Sequence, residues 1–244
     1  MTYPLISTYT VFNKYPLNWL QQALNGYATQ TYTNKEYIFL IYGKDNDLDG
    51  ILNTLSNVDI KYKLYFKPEI DNFIDAIHFA VSKCNGKYIC RADAEDILLP
   101  NALSIMKDKI YSVMMVIPNY LSIDNDGSII DSNVDGKIEH ISSNCLISRE
   151  HFNEVKFHKF QTCRDGLAIR NYFKDRYAIR YLDIPLFKYR INTDGLTNNV
   201  RTTLIKEWNE RIINDMYDWN LDDNEIIIDS TDTSITTNKR KMEI

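Results

Sequence analysis

Three carboxylates fall within four positions, Asp93, Glu95 and Asp96, directly ahead of the apolar run Ile97-Leu98-Leu99-Pro100. Packed this closely they repel one another unless water or a cation intervenes. A hard divalent ion, Mg2+ or Mn2+, takes oxygen ligands and bridges protein carboxylates to substrate phosphates, so the cluster suits a metal-assisted step on a phosphorylated substrate. The other reading is a solvated acidic turn that favours the start of the next helix through its dipole. Spacing alone leaves both open.

The remaining metal-type residues point elsewhere. His78, His140, His151 and His158 show no HExxH spacing, and Cys84, Cys90, Cys145 and Cys163 show no close pairing. Zinc is set aside on that ground, and the cysteines read as reduced, mostly buried thiols.

The elements around the acidic cluster alternate extended apolar runs with helical patterns, the signature of an α/β fold with a mostly parallel, Rossmann-like central sheet flanked by helices. Residues 3–10 read as a first strand. Pro16 then opens a helix in which Leu17, Leu20, Ala23 and Leu24 recur at helical spacing, with Gly26 as its expected end. Residues 37–42 form a second strand, followed by Gly43, the polar run 44–50 and a helix around Ile51 and Leu55. A third strand, 62–66, closes at Pro68. Phe73, Ile77, Ala80 and Val81 make an apolar helical face ended near Asn85-Gly86, and residues 87–92 form the next strand. Asp93 lies just past it, where ligands bind in open α/β sheets.

Farther on, the pattern predicts a helix at 100–110, a strand at 113–118 and a turn at Asp124-Asn125-Asp126-Gly127. Strands at 141–147 and 178–182 and helices at 165–173 and 200–219 follow. With no linker or internal repeat, residues 1–220 read as one domain, a nucleotide half to about 100 and an acceptor half after it. Residues 221–244 read as a polar tail, apart from 226–228.

The 244 residues are 44% hydrophobic and 25% charged, ordinary for a globular protein. A net charge of -5 gives no reason to expect nucleic acid as a partner. No run approaches the ~20 apolar residues of a membrane span, and no signal-peptide pattern opens the chain, so the reading is cytoplasmic with no transmembrane segment.

Residues 86–100, Gly-Lys-Tyr-Ile-Cys-Arg-Ala-Asp-Ala-Glu-Asp-Ile-Leu-Leu-Pro, resemble the donor-site segment of family 2 glycosyltransferases, which have the GT-A fold. In that family a Gly-x-Tyr-Ile strand leads into an Asp-x-Asp-Asp type motif and a Pro-led helix. Upstream, the Thr8–Thr10 strand end, the Leu17 to Gly26 helix and Gln30-Thr31-Tyr32 resemble the family's opening strand, helix and Gln-Thr loop. Downstream, Arg164-Asp165 is similar to the Glu-Asp pair that heads a helix, and Leu186-Phe187-Lys188-Tyr189-Arg190 to the segment closing the nucleotide site. The likeness spans roughly residues 3–195.

The resemblance implies transfer of a sugar from a nucleoside-diphosphate donor, a UDP-sugar, to a hydroxyl of a glycan or glycoconjugate, with inversion and with Mn2+ or Mg2+. It implies donor contacts at Thr8, Tyr42, Asp45, Arg91, Asp93 and Arg190, metal ligation by Asp93, Glu95 and Asn192, an acceptor contact at His140 and a catalytic base at Asp165. The chemistry is coherent: a leaving diphosphate needs its growing charge stabilised, and the acceptor hydroxyl must lose a proton. Asp165 can equally be a helix cap, His140 an ordinary histidine, and Arg190 a loop anchor bonded to carbonyls rather than a forked phosphate ligand.

The chain departs from the family pattern at four points. Tyr42-Gly43-Lys44, with Asp45 and Asp47 just after, stands where an aspartate commonly reads uracil; a surface turn is the simpler reading there. Glu95 replaces an aspartate, Arg164 a glutamate and Asn192 a histidine. The rival readings are a degenerate nucleotide- or glycan-binding domain and a metal-dependent nucleotidyltransferase, although residues 8–14 lack the Gly-rich basic loop the latter wants.

Overall fold

The structure is a computed structural model describing residues 3–131, 143–155, 169, 172–173 and 178–191, with two further strands at 226–228 and 235–237. It is a mixed α/β fold on one central sheet, ordered β3 (Tyr62–Lys67), β2 (Lys35–Tyr42), β1 (Ile6–Phe12), β4 (Tyr88–Arg91), β8 (Leu146–Ser148), β6 (Met115–Ile123), β9 (Ile179–Arg190), β5 (Ile97–Leu98). A short β7 (Ile129–Asp131) pairs with the end of β6. Strands β3, β2, β1 and β4 are parallel. β8 runs against both β4 and β6, β9 lies parallel to β6, and β5 runs against β9. The strands β10 (Ile226–Ile228) and β11 (Ile235–Thr237) pair only with each other.

Helices cover both faces, which is why the inner strands are buried along nearly their whole length rather than on alternate residues. In β2, Tyr37, Phe39 and Ile41 join Leu20 and Leu24 of α1 (Leu17–Ala28), Ile51 and Leu55 of α2 (Leu48–Ser56), and Leu103 and Met106 of α4 (Ala102–Lys109). On the other face Ile38, Leu40 and Tyr42 meet Ala76, Ile77, Ala80 and Val81 of α3 (Phe73–Ser82) and Phe152 of α5 (Arg149–Phe152).

The chain steps from β1 outward to β2 and β3, then returns to place β4 on the far side of β1. Connections on either side of the β1–β4 junction therefore diverge, and a crevice opens at the carboxyl ends of these two strands.

Three expectations change. Gly26 does not end α1, which continues to Ala28; a Cβ at Gly26 would sit 2.9 Å from the Leu98 carbonyl oxygen and 3.0 Å from its nitrogen, so glycine is there to let α1 approach β5. The strand expected at 113–118 runs on to Ile123, and the one expected at 178–182 runs on to Arg190. Their pairing jumps from Pro118 with Leu182 to Asn119 with Pro185, a bulge that accommodates both prolines without ending either strand. The turn at 124–127 forms as expected, with Gly127 N–H donating to the Asp124 carbonyl at 3.1 Å and Gly127 at φ +91°.

Cys84, Cys90 and Cys145 are free and buried. Among the described residues no helix is long and apolar enough to cross a membrane. Cys163, the helix expected at 200–219 and most of the one expected at 165–173 lie outside the described residues.

Candidate functional site

Six strands, β1, β2, β3, β4, β6 and β9, finish at the same edge of the sheet, and the acidic segment follows β4 directly. Thr10 fixes that segment's root. Its hydroxyl donates to the Ala92 carbonyl at 2.5 Å and, with its proton so used, accepts from the Tyr37 hydroxyl at 2.7 Å. Farther along, the Gln30 amide donates to the carbonyls of Gly26 at 2.9 Å and Leu99 at 2.7 Å, while its oxygen accepts from Leu103 N–H at 3.1 Å. One buried glutamine thus joins the end of α1, the exit of the acidic segment and the start of α4.

Within the segment burial alternates. Ala94 and Asp96 are buried, at 1% and 3% exposure, whereas Asp93 and Glu95 are half-buried. The three carboxylates therefore separate into two that keep partial exposure and one turned inward. Asp96 accepts from Arg190 N–H at 3.1 Å on Oδ1, and from Asn144 Nδ2 at 2.9 Å and Ser143 Oγ at 3.2 Å on Oδ2. Burial, followed by the nearby charges of Asp93 and Glu95, pushes its carboxyl well above the usual carboxylate range. Asp96 is a pin between the acidic segment, the entry to β8 and the end of β9.

Two guanidinium groups answer the crowding of charge. Arg91, 7% exposed, approaches Asp93 as a fork, Nε to Oδ1 at 2.8 Å and Nη2 to Oδ2 at 3.1 Å, with its carbon 5.2 Å from the Phe73 ring centre. Arg190, 1% exposed, donates from Nε to the Glu95 carbonyl at 3.0 Å, from Nη1 to the Asp124 and Asn125 carbonyls at 2.5 and 2.8 Å, and from Nη2 to Gln22 Oε1 at 2.5 Å. It stacks 4.9 Å from the Trp19 ring centre. These contacts match the loop-anchor alternative for Arg190.

Three phenols complete the surroundings. Burial first, then the charges of Glu95 and Asp93, raises the Tyr15 hydroxyl; burial, then Asp96, Glu95 and Asp93, raises that of Tyr189. Tyr42, at the end of β2, is pushed up to about 12 by burial, against a hydrogen bond with Asn13 and with Asp93 adding to the rise. All three stay protonated near neutral pH and keep a hydrogen to donate. Tyr15 was not singled out from the sequence, yet it carried a signal: it follows the end of β1, one side of the crevice between β1 and β4.

The other expected residues divide. Thr8 lies in mid β1, paired with Tyr37 and Cys90, and is 0% exposed, below the edge rather than on it. Asp45 projects outward, its side chain 86% exposed and 3.8 Å from Lys14, at φ +61°. Asp47 caps α2 by accepting from Gly50 N–H at 3.0 Å, and Asn46 bonds the Tyr42 and Gly43 carbonyls, so residues 43–47 form the surface turn. Asp165, His140 and Asn192 lie outside the described residues.

Among the described residues no three His, Cys, Asp or Glu side chains gather to hold an ion by themselves. By type, the two half-buried carboxylates Asp93 and Glu95 are oxygen donors of the kind a hard divalent ion takes. A carboxylate has about four acceptor directions, and a divalent ion commonly takes one or two carboxylates and completes its shell with phosphate oxygens and water.

The family model described as Glycosyl transferase family 2 matches residues 9–172. No curated protein matches the chain. Among solved structures, a mannosyltransferase, PcManGT from Pyrobaculum calidifontis, solved with GDP-Man and Mn2+, superposes with a TM-score of 0.65 at 13% identity, over 87% of this chain and 65% of that one. S. aureus TarS (residues 1–349) with UDP-GlcNAc gives 0.62 at 13% identity, over 90% and 68%. A further structure of the same TarS fragment gives 0.58 at 14%, over 76% and 60%, so the present chain spans about 60% of the length of that structure. These likenesses establish a shared GT-A fold.

Proposed function

The chain belongs to glycosyl transferase family 2, and from that premise we propose that it transfers a sugar from a nucleoside-diphosphate donor, a UDP-sugar, to a hydroxyl of a glycan or glycoconjugate, with inversion. The observation that carries the reading is the pair of half-buried carboxylates, Asp93 and Glu95, at the β1–β4 crevice, backed by two buried guanidinium groups.

Asp93 and Glu95, with Asn192, would hold a Mn2+ or Mg2+ ion at the diphosphate end of the donor. The ion, when bound, offsets the charge that grows on the departing diphosphate. Arg91 orients Asp93 through its two contacts, and its own charge lies beside the phosphates. Tyr42 and Asn13, at the ends of β2 and β1, border the nucleoside. The phenols of Tyr15 and Tyr189 are neutral donors that reach oxygens without adding negative charge. Asp165 takes the acceptor proton from the face opposite the nucleotide, as direct displacement requires, and His140 lines the acceptor side. Solved neighbours bind UDP, UDP-GlcNAc and GDP-Man, which supports a nucleotide-sugar donor, and one of them carries Mn2+.

A second reading, a nucleotide-binding domain without turnover, is favoured by the Arg91–Asp93 fork, since a carboxylate already neutralised by an arginine attracts an ion less strongly. The two separate when the protein is incubated with a panel of nucleotide sugars and Mn2+ and released nucleotide is measured. Turnover that vanishes in Asp93→Ala is the expected result. Nucleotide binding without release, across all donors, favours the second reading. Asp165→Asn keeps nucleotide binding and abolishes transfer; lost binding in that variant makes Asp165 a structural cap.

A further inference from the structure

Among the described residues, Arg190 is a buried cation whose side-chain hydrogen bonds all end on neutral acceptors. Its four side-chain hydrogen bonds end on the carbonyls of Glu95, Asp124 and Asn125 and on the amide oxygen of Gln22. Filling such a volume for stability alone is done as well or better by apolar side chains, because desolvating a charge is costly. A guanidinium has two properties that an apolar plug lacks. Its planar fork reaches carbonyls from three chain segments at once, and its charge lies beneath an acidic crevice.

Both properties converge on Glu95. The Nε bond fixes the Glu95 carbonyl, and the Arg190 backbone N–H fixes the next residue through Asp96 Oδ1. Two adjacent residues are thereby held by the one arginine, which leaves the intervening peptide little freedom to rotate. The half-buried Glu95 side chain is aimed by that peptide. Glu95 and Asp96 also lie in the field of that positive charge, which favours negative charge at the acidic segment.

We infer that Arg190 is a positioning residue of the donor site, acting through the Glu95 backbone and Asp96 to hold the Glu95 carboxylate where a divalent ion and the donor diphosphate meet it, rather than touching the diphosphate itself. Gln22 and Trp19 of α1 and the turn at 124–127 are the frame it pulls against: the Trp19 indole N–H donates to the same Asn125 carbonyl at 2.9 Å. The inference rests on the transferase reading above.

The test is titration of wild type and Arg190→Lys with UDP and with GDP, each in the presence of Mn2+ and of a chelator, with thermal unfolding followed in parallel. Lysine keeps the charge and loses the fork. Metal-free affinity is expected to stay within about twofold of wild type, while the gain in affinity produced by Mn2+ falls about tenfold or more, the scale on which partners that orient metal ligands act. Equal losses with and without Mn2+ overturn the inference in favour of a direct phosphate contact, and an unchanged Mn2+ gain overturns it in favour of a purely structural anchor. Should Arg190→Lys fail to fold, Gln22→Leu removes one strut of the frame and is expected to lower the Mn2+ gain by a smaller factor; no change there overturns it equally. A wild-type protein that binds neither nucleotide under either condition sinks the transferase reading and this inference together, an outcome distinguishable from those specific to Arg190.

Discussion

The backbone N–H of Arg190 donates to Asp96 Oδ1 at 3.1 Å, joining residues 94 positions apart, and the same carboxylate draws in Ser143 and Asn144. One buried side chain thereby ties the segment after β4 to the last strand of the sheet and to the entry of β8. Asp96→Ala strips three buried donors of their acceptor, at a cost of about 3–5 kcal/mol. Urea unfolding measures it; a loss below about 1 kcal/mol means that the carboxylate is not the pin described.

Gly26→Ala reverses the usual sign for a helix. Alanine normally stabilises a helix interior by up to about 1 kcal/mol over glycine. Here the added Cβ meets Ile97 Cγ2 at 2.9 Å and the Leu98 backbone at 2.9 and 3.0 Å, and backbone cannot yield as a flexible side-chain tip does. The variant should lose about 1–3 kcal/mol, the ordinary cost of overpacking, visible as a lower melting temperature. A higher one contradicts the close approach of α1 to β5.

Acid sensitivity should centre on Glu36, at the opposite end of the sheet from the crevice. Burial alone would raise its carboxyl, but hydrogen bonds from Lys63, Ser7 and Asn85 outweigh that and hold it at about 2. An unfolded glutamate titrates near ~4.3. The folded value is the lower, so this stabilisation is complete above the unfolded value and drains away as pH falls from about 5 towards 2. Glu36→Gln should flatten the pH dependence of the urea midpoint in that window, and an unchanged slope would place the acid sensitivity elsewhere.

Asp45 and Asp47 should matter for different reasons. Asp47→Ala removes the cap on Gly50 N–H and costs about 1 kcal/mol. Asp45→Ala breaks only a 3.8 Å contact with Lys14 between exposed side chains but puts alanine at φ +61°, so a stability loss of about 1 kcal/mol is expected from backbone strain alone while nucleotide affinity holds. Weaker UDP binding in Asp45→Ala would return that residue to the donor pocket.

The parallel half of the sheet was legible because its strands are runs of apolar residues separated by helices of the right period, and the position of the acidic segment followed from it. What escaped was whatever depends on pairing across the chain. Pro118 and Pro185 look like strand limits in isolation, and only their meeting at a bulge lets β6 and β9 extend to the crevice. Gly26 reads as a helix end until β5 is seen lying against it. Likewise the sequence shows three carboxylates, but which of them turns inward depends on Ser143, Asn144 and Arg190, which converge only in the folded chain.

The alternation of buried Ala94 and Asp96 with half-buried Asp93 and Glu95 makes loop length a stricter constraint than loop chemistry. Substitution at position 95 alters what the crevice offers while leaving the architecture intact. A one-residue insertion after Arg91 would instead turn the pinned carboxylate outward and send another into the interior, so catalysis and folding would fail in the same event. Tuning of this site is therefore open to exchange of side chains and closed to changes in count.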